Sequence, residues 1–352
     1  MSAPRSDQAG EEYWAFSTLQ ETVFHWQYGS DHPVLKSLYD KGKSDQWDAT
    51  RRIDWSADLF PQNPIGLPDE MTPLYGTAIW HKLNHAERAE LRRHAQAWQM
   101  SQFLHGEQGA LLCAARVVQQ SDSYDTKCYA ATQVMDEARH VEIFTRLLTE
   151  KFGFFYPISP SMKSLLESVI THKEWDIVYL GMQVVIEGLA LAAFQMIRDH
   201  ATNPLAIQVN TFVMQDEARH VAFGRLALRD YYAELQHHER REREEFLIEA
   251  CRLMRDRLFP DEIWERLNLD RRKCKMEIES SIHAQFFRHQ LFSRIVPAVR
   301  DIGLWGPDIR AAYAAMGIND YARTTTSSQL ERDEQLAIEL QRATLIAAPE
   351  DR

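Results

Sequence analysis

Five consecutive residues, Asp136-Glu137-Ala138-Arg139-His140, recur letter for letter as Asp216-Glu217-Ala218-Arg219-His220, an offset of 80 positions. Glu107 lies 30 residues before Glu137, and Glu187 lies 30 residues before Glu217, so the same offset of 80 relates these two as well. Ala110-Leu111 and Ala190-Leu191, just after the leading glutamates, keep the register. Self-similarity at a fixed period marks a repeated supersecondary unit. Here each unit carries one Glu on its first half and Glu-x-x-His on its second. Residues i and i+3 share a helix face, so Glu137 with His140, and Glu217 with His220, can each converge on one point. A gap of 30 residues is what two antiparallel helices and a short turn need to bring Glu107 to Glu137, and Glu187 to Glu217, at one depth.

Four carboxylates packed together in a helical core repel one another and take up protons unless cations sit between them. Two divalent metals supply four positive charges against four negative ones. Imidazole and carboxylate donors suit iron or manganese, whereas thiolates would point to zinc or iron–sulfur. Asp136 and Asp216 are the expected acceptors for the remaining ring N–H of each ligating His, since such partners fix tautomer and ring direction. They are expected to cross over, Asp136 to His220 and Asp216 to His140, with Arg139 and Arg219 neutralising the Asp pair. One Glu-x-x-His taken alone is more often a surface ion pair. Six residues in register, with Glu187 set among Val184, Val185, Ile186, Leu189 and Leu191, favour a metal site, and a bundle that has lost its metal is the alternative.

The rest of the chain reads as all-α, because no segment sustains period-two alternation. Helices are expected over about 85–119 (N-cap Asn84), 126–151, 161–171, 174–200, 205–234 and 237–257, then a long one near 275–300. The core bundle spans 85–232, additional helices fill 235–317, and a polar tail covers 318–352. Residues 1–80 read as an irregular arm, rich in Trp, Phe and Tyr and punctuated by Pro and Gly. The stretch Ile177–Ile197 is apolar enough to suggest a membrane span, but Gln183, Glu187 and Gln195 interrupt it, and a Glu in mid-span is costly in lipid. It is expected to be the centre of a bundle instead. The charged run HHERREREEF (237–246) is expected to form a solvated helix face.

With 40 Lys and Arg against 51 Asp and Glu, the net charge of −11 argues against nucleic-acid binding, which needs basic surface. Four scattered cysteines without ligand spacing fit a reducing compartment. No basic, then apolar, leader is seen at the N-terminus. A cytoplasmic location is expected.

The pattern of two helices giving Glu and two giving Glu-x-x-His resembles the ferritin-like di-iron carboxylate proteins. These include ferritins, ribonucleotide reductase small subunits, acyl-carrier desaturases, monooxygenase hydroxylases, arylamine N-oxygenases and ligand-binding manganese/iron oxidases. The resemblance implies a ferritin-like four-helix core, two iron ions or a manganese/iron pair, and O2 as co-substrate. Glu107, Glu137 and His140 would bind one metal and Glu187, Glu217 and His220 the other, with one or two carboxylates bridging. Departures narrow the choice. Phe144 stands where reductase subunits carry a radical Tyr, and Leu191 where the hydroxylases carry a Thr. Val213 replaces the third His of the arylamine N-oxygenases, which weighs against a direct assignment to them.

Small residues flank the ligands (Gly106, Gly109, Ala110, Gly188 and Ala190), either to leave room for oxygen and substrate or to pack helices closely. Phe103, Leu111, Phe144, Met182, Phe194 and Phe212 suggest an aromatic or acyl substrate. The expected function is an oxidoreductase that uses O2 to hydroxylate, N-oxygenate or desaturate a small organic molecule. It would draw electrons from a reductase or ferredoxin and form a homodimer. A ferroxidase, a peroxide-handling protein and a manganese/iron ligand-binding oxidase are the alternatives.

Overall fold

The computed structural model describes residues 14–18, 22–30, 32–256, 260–329, 331–332 and 335. Among these there is no strand. The N-terminal segment holds three short helices, α1 (Pro33–Ser44), α2 (Ala49–Arg52) and α3 (Ala78–Lys82). Pro33 at the first position of α1 needs no hydrogen-bond partner there and arrives with a helical φ, so a residue that reads as a breaker starts a helix instead.

The long elements follow from their caps and breaks. α4 (His85–Gln120) opens with a full capping box, in which Asn84 accepts from the Glu87 N–H and the Glu87 carboxylate accepts from the Asn84 N–H. α5 (Tyr124–Arg146) runs on through a π segment, Leu147–Phe152, and stops at Gly153, whose φ of 80° only glycine adopts cheaply. After α6 (Pro160–Thr171), α7 (Trp175–Tyr179) passes through a second π segment, Leu180–Ile186, into α8 (Glu187–His200). Asn203 caps α9 (Pro204–Glu234), again with Pro at the start. α4, α5, α7–α8 and α9 form the four-helix bundle. The apolar stretch expected in its middle is there: Trp175–His200 is long and apolar enough to cross a membrane, but 94% of its most apolar stretch is buried inside the protein.

α10 (His237–Asp256), α11 (Asp261–Arg266), α12 (Arg271–Ser280), α13 (Ile282–Leu291), α14 (Ile295–Asp301) and α15 (Pro307–Ala315) pack around this core. Two expectations are corrected here. The long helix near 275–300 is three helices, because Ser281 ends α12 and its hydroxyl caps α13 at the Ala284 N–H, and the chain turns again at 292–294. The charged run is only partly a solvated face. Arg241 and Glu245 pair in solvent at 3.2 Å, but Arg243 turns inward to hold buried Asp176 with two hydrogen bonds of 2.9 and 3.0 Å. Glu244 also points in and accepts from the Gly306 N–H. Periodicity alone does not show which turn of a charged helix faces the core. The polar tail expected over 318–352 lies outside the described residues from 336 onward; before that, Asn319–Arg323 form a 3-10 turn.

Candidate metal centre

The four helices bring all six repeat-derived glutamates and histidines together, each 5% exposed or less. Two groups result. Glu107, Glu137, His140 and Glu217 each offer a donor atom within 4.8 Å of the others, and so do Glu137, Glu187, Glu217 and His220. Glu137 and Glu217 belong to both groups, so each helix pair lends a carboxylate to the other. Nδ1 of His140 lies 3.0 Å from Glu217 Oε1 and 3.3 Å from both Glu107 and Glu137. Nδ1 of His220 lies 3.0 Å from Glu137 and 3.4 Å from Glu217.

On the far side of each ring, Nε2 of His140 is 3.2 Å from Asp216, and Nε2 of His220 is 3.2 Å from Asp136. The Asp residues thus cross the bundle. Arg139 contacts both, at 2.7 Å to Asp216, and Arg219 contacts Asp216 at 2.6 Å and Asp136 at 3.3 Å. The two Asp and two Arg side chains thus form a closed quartet. Burial pushes the Asp216 carboxyl up, but the His140 hydrogen bond and Arg219 outweigh it and hold it well below the usual range.

The inner carboxylates divide. Burial, reinforced by nearby Glu217, drives the Glu107 and Glu187 carboxyls far upward. Burial acts the same way on Glu137, yet the two imidazoles, His220 foremost, reverse it and keep that group strongly depressed. Burial opposes charge on both histidines and is overcome, by Asp216 and the glutamates at His140 and by Glu137 and Glu217 at His220, so both hold protons well above the ordinary histidine value. The protein alone therefore balances this site with protons.

Several donor atoms have close neighbours but no well-directed hydrogen bond. Glu137 Oε2, Glu187 Oε2, both Glu217 oxygens and His220 Nδ1 are buried and unsatisfied in this way. Buried polar atoms normally find partners, and these all face one another. Oxygen and imidazole donors with orphaned lone pairs around two points fit a pair of divalent ions of the iron or manganese kind.

Four neighbours of the site had no signal in the repeat. Gln46 donates to Asp136 at 2.8 Å and Trp47 donates its indole N–H to Asp216 at 2.9 Å, so two adjacent residues of the N-terminal segment each brace one Asp. Gln133 donates from one amide nitrogen to both Glu137 and Glu187, at 3.0 Å each. Gln183 donates to the Gln133 carbonyl at 3.2 Å. Trp47 and Gln183 lie at contact distance only through the tertiary fold; Gln133, one turn before Glu137 on the same helix, was open to an i,i+4 argument.

A cavity of roughly 20 Å³ touches Glu107, Glu187 and Glu217 and is walled by Gln102, Phe103, Gly106, Ala110, Met162, Ile186 and Ala190. A larger chamber of about 90 Å³ by the same measure adjoins it, sharing Gln102 and Phe103 as wall and reaching α11, α12 and α13. The small residues divide between the two roles considered for them. Gly106, Ala110 and Ala190 line the inner cavity. Gly109 and Gly188 serve packing, since a Cβ on the first would meet Leu166 at 2.4 Å and one on the second Ile295 at 3.2 Å. Of the six apolar residues singled out for a substrate, only Phe103 lines either space. Phe144 packs against it at a tilt and Phe194 edge-on, both as core, and Phe212 faces Trp47.

Comparison with known proteins agrees with this architecture. Residues 30–303 match the family model described as p-aminobenzoate N-oxygenase AurF. The chain belongs to that family, and with it to the oxygen-dependent oxidoreductases. Val213, buried one turn before Glu217, does not place it outside. Among solved structures, a variant of an R2-like ligand-binding oxidase with an anaerobically reconstituted Mn/Fe cofactor superposes with a TM-score of 0.52 at 17% identity, covering 78% of this chain and 95% of that one. A second variant, aerobically reconstituted, gives 0.50 at 18% identity with the same coverage. These likenesses establish the ferritin-like all-α fold. No curated protein sequence matches the chain.

Proposed function

We propose that this protein is a dinuclear monooxygenase that oxygenates a small, largely apolar organic molecule. Glu107 and His140 would hold one ion, Glu187 and His220 the other, and Glu137 and Glu217 both. Bound there, two iron ions or a manganese/iron pair would supply the reduction of O2. The observation that carries this reading is the convergence of six buried donors, several of them unsatisfied, beside a cavity.

The chain's own residues set the conditions. The Asp–Arg quartet keeps the outer nitrogens of both histidines engaged, so Nδ1 faces inward. The inner cavity holds about one water-sized molecule, which suits dioxygen and not an organic substrate. The substrate's body therefore belongs in the adjoining chamber, with Leu189, Ala193, Ile263 and Leu291 on its walls and Arg92, Arg288 and His283 near its rim. Phe103 stands between the two spaces, wedged against Phe144 and Phe194 at ring-centroid distances of 5.6 and 4.5 Å. Because Phe103 and Gln102 line both spaces, that shared wall is where a substrate would meet the inner cavity. Monooxygenation consumes O2, two electrons and two protons and releases water with the product, so a reductase or ferredoxin must supply the electrons. The family's amine chemistry makes arylamines the first compounds to try.

The test is to load the metal-free protein anaerobically with Fe(II), count iron per chain, then admit labelled O2 with arylamines and with apolar acids and analyse products by mass. Two irons per chain and a labelled product support the proposal. Oxidation of excess iron with no organic product overturns it in favour of a ferroxidase.

A further inference from the structure

The repeat invites the expectation that the two metal positions are alike, but the residues one helical turn from the ligands break the symmetry. Shifting by 80 relates Gln133 to Val213, Phe103 to Gln183 and Phe144 to Gly224. We propose that Gln133 is a positioning residue that makes the two positions inequivalent, by tying Glu187, which serves only the ion held with His220, to Glu137, which serves both. This rests on the metal-site reading above.

The geometry is specific. Gln133 is 1% exposed, and its amide nitrogen reaches a carboxylate of each helix pair, Glu137 on its own helix and Glu187 across the bundle. The Gln133 carbonyl in turn accepts from Gln183 at 3.2 Å, so its nitrogen faces the glutamates while its oxygen is engaged on the other side. Gln183 has room because Gly224 faces it: a Cβ there would stand 2.6 Å from Gln183 Cβ. It sits in the π segment that leads into Glu187. The related stretch of α4 is regular α-helix, with Phe103 in the equivalent place. π turns of this kind recur at functional sites.

The choice of an amide has an electrostatic reason. A neutral donor offsets part of the cost of burying Glu187 and Glu137 without placing a positive charge that would repel the incoming ion. The other position has no counterpart. Val213 offers no donor, and among the described hydrogen bonds Glu107 meets only His140. Both ions would share Glu137, so the difference lies in the unshared carboxylates: Glu187 is already held by Gln133, whereas Glu107 is held by no neutral donor among the described hydrogen bonds.

Manganese(II) alone, titrated anaerobically into the metal-free full-length protein, tests this, because spin resonance separates free, isolated bound and paired Mn(II). Wild type should fill two steps. In Gln133→Val, which copies Val213, one step should weaken by about 10–100-fold, as loss of such a supporting partner typically does, so isolated bound Mn(II) accumulates where pairs formed before. Gly224→Ala, whose added Cβ would crowd Gln183, should shift the same step. Both steps unchanged in both variants, or both weakened equally, overturn the proposal. Wild type that binds no Mn(II) at all would instead overturn the metal-site reading itself.

Discussion

The two helix pairs are alike where they carry ligands and unlike one turn away. Glu107 and Glu187 and the Glu-x-x-His pairs occupy equivalent places in the repeat, and the two histidines, Asp136 and Asp216, and Arg139 and Arg219 make equivalent contacts. Their neighbours diverge: an aromatic wedge of Phe103 and Phe144 on one pair, a polar link of Gln183 beside Gly224 on the other. The lesson is that the demand for charge balance at two ions is symmetric, whereas the demands for access and for preorganisation are not. Each is met once.

The sharpest way to break this comparison is to remove the shared carboxylates. The double variant Glu137→Ala, Glu217→Ala should lose both ions, while Glu107→Ala or Glu187→Ala should each lose chiefly one, as counted by elemental analysis per chain. Wild-type metal content in the double variant would show that the two groups are not the binding sites.

Acidity should act on both positions together. Glu107, Glu187, His140 and His220 all hold protons to higher pH than they ordinarily would. Metal must displace those protons, so affinity should rise with pH and fall as pH is lowered, by about tenfold per unit for each proton released. Metal affinity that is flat with pH contradicts the proton-balanced site.

A finer comparison uses the crossed Asp residues. Asp136→Asn and Asp216→Asn should each weaken metal binding by about 10–100-fold, to a similar degree, because each supports the histidine of the opposite pair. A large inequality would show that the symmetry stops short of the Asp pair.

The smallest effects concern the bracing segment. Trp47→Phe removes the donor to Asp216 and Gln46→Leu the donor to Asp136. Both hydrogen bonds are part-buried, so each change should cost about 1 kcal/mol, the usual net worth of such a bond, measurable by denaturant unfolding of the metal-free protein. No change in either would mean that the quartet of Asp and Arg stands without the N-terminal segment.

Much of the core could be read from residue spacing. Asn84 announced a helix start, and the offset of 80 placed six side chains at one depth. The three-way break of the helix expected near 275–300 was harder to see, because Ser281 is an ordinary helix residue until its hydroxyl turns to cap the next turn. Arg243 was misplaced for a related reason: its partner Asp176 is 67 residues away in sequence, and no local pattern distinguishes it from Arg241.

By itself the sequence determined the all-α class, the pairing of helices and the identity of the buried donors, because helical periodicity converts spacing into shared faces and an internal repeat converts it into matched depths. Only the tertiary structure decided that Glu137 and Glu217 serve both groups, that Gln133 ties Glu137 to Glu187, that Gln46 and Trp47 reach the Asp pair, and which glycines open a cavity. Those contacts join elements across distances of up to 169 residues. Their geometry depends on how helices rotate and slide against one another, which packing sets and spacing along one chain does not encode.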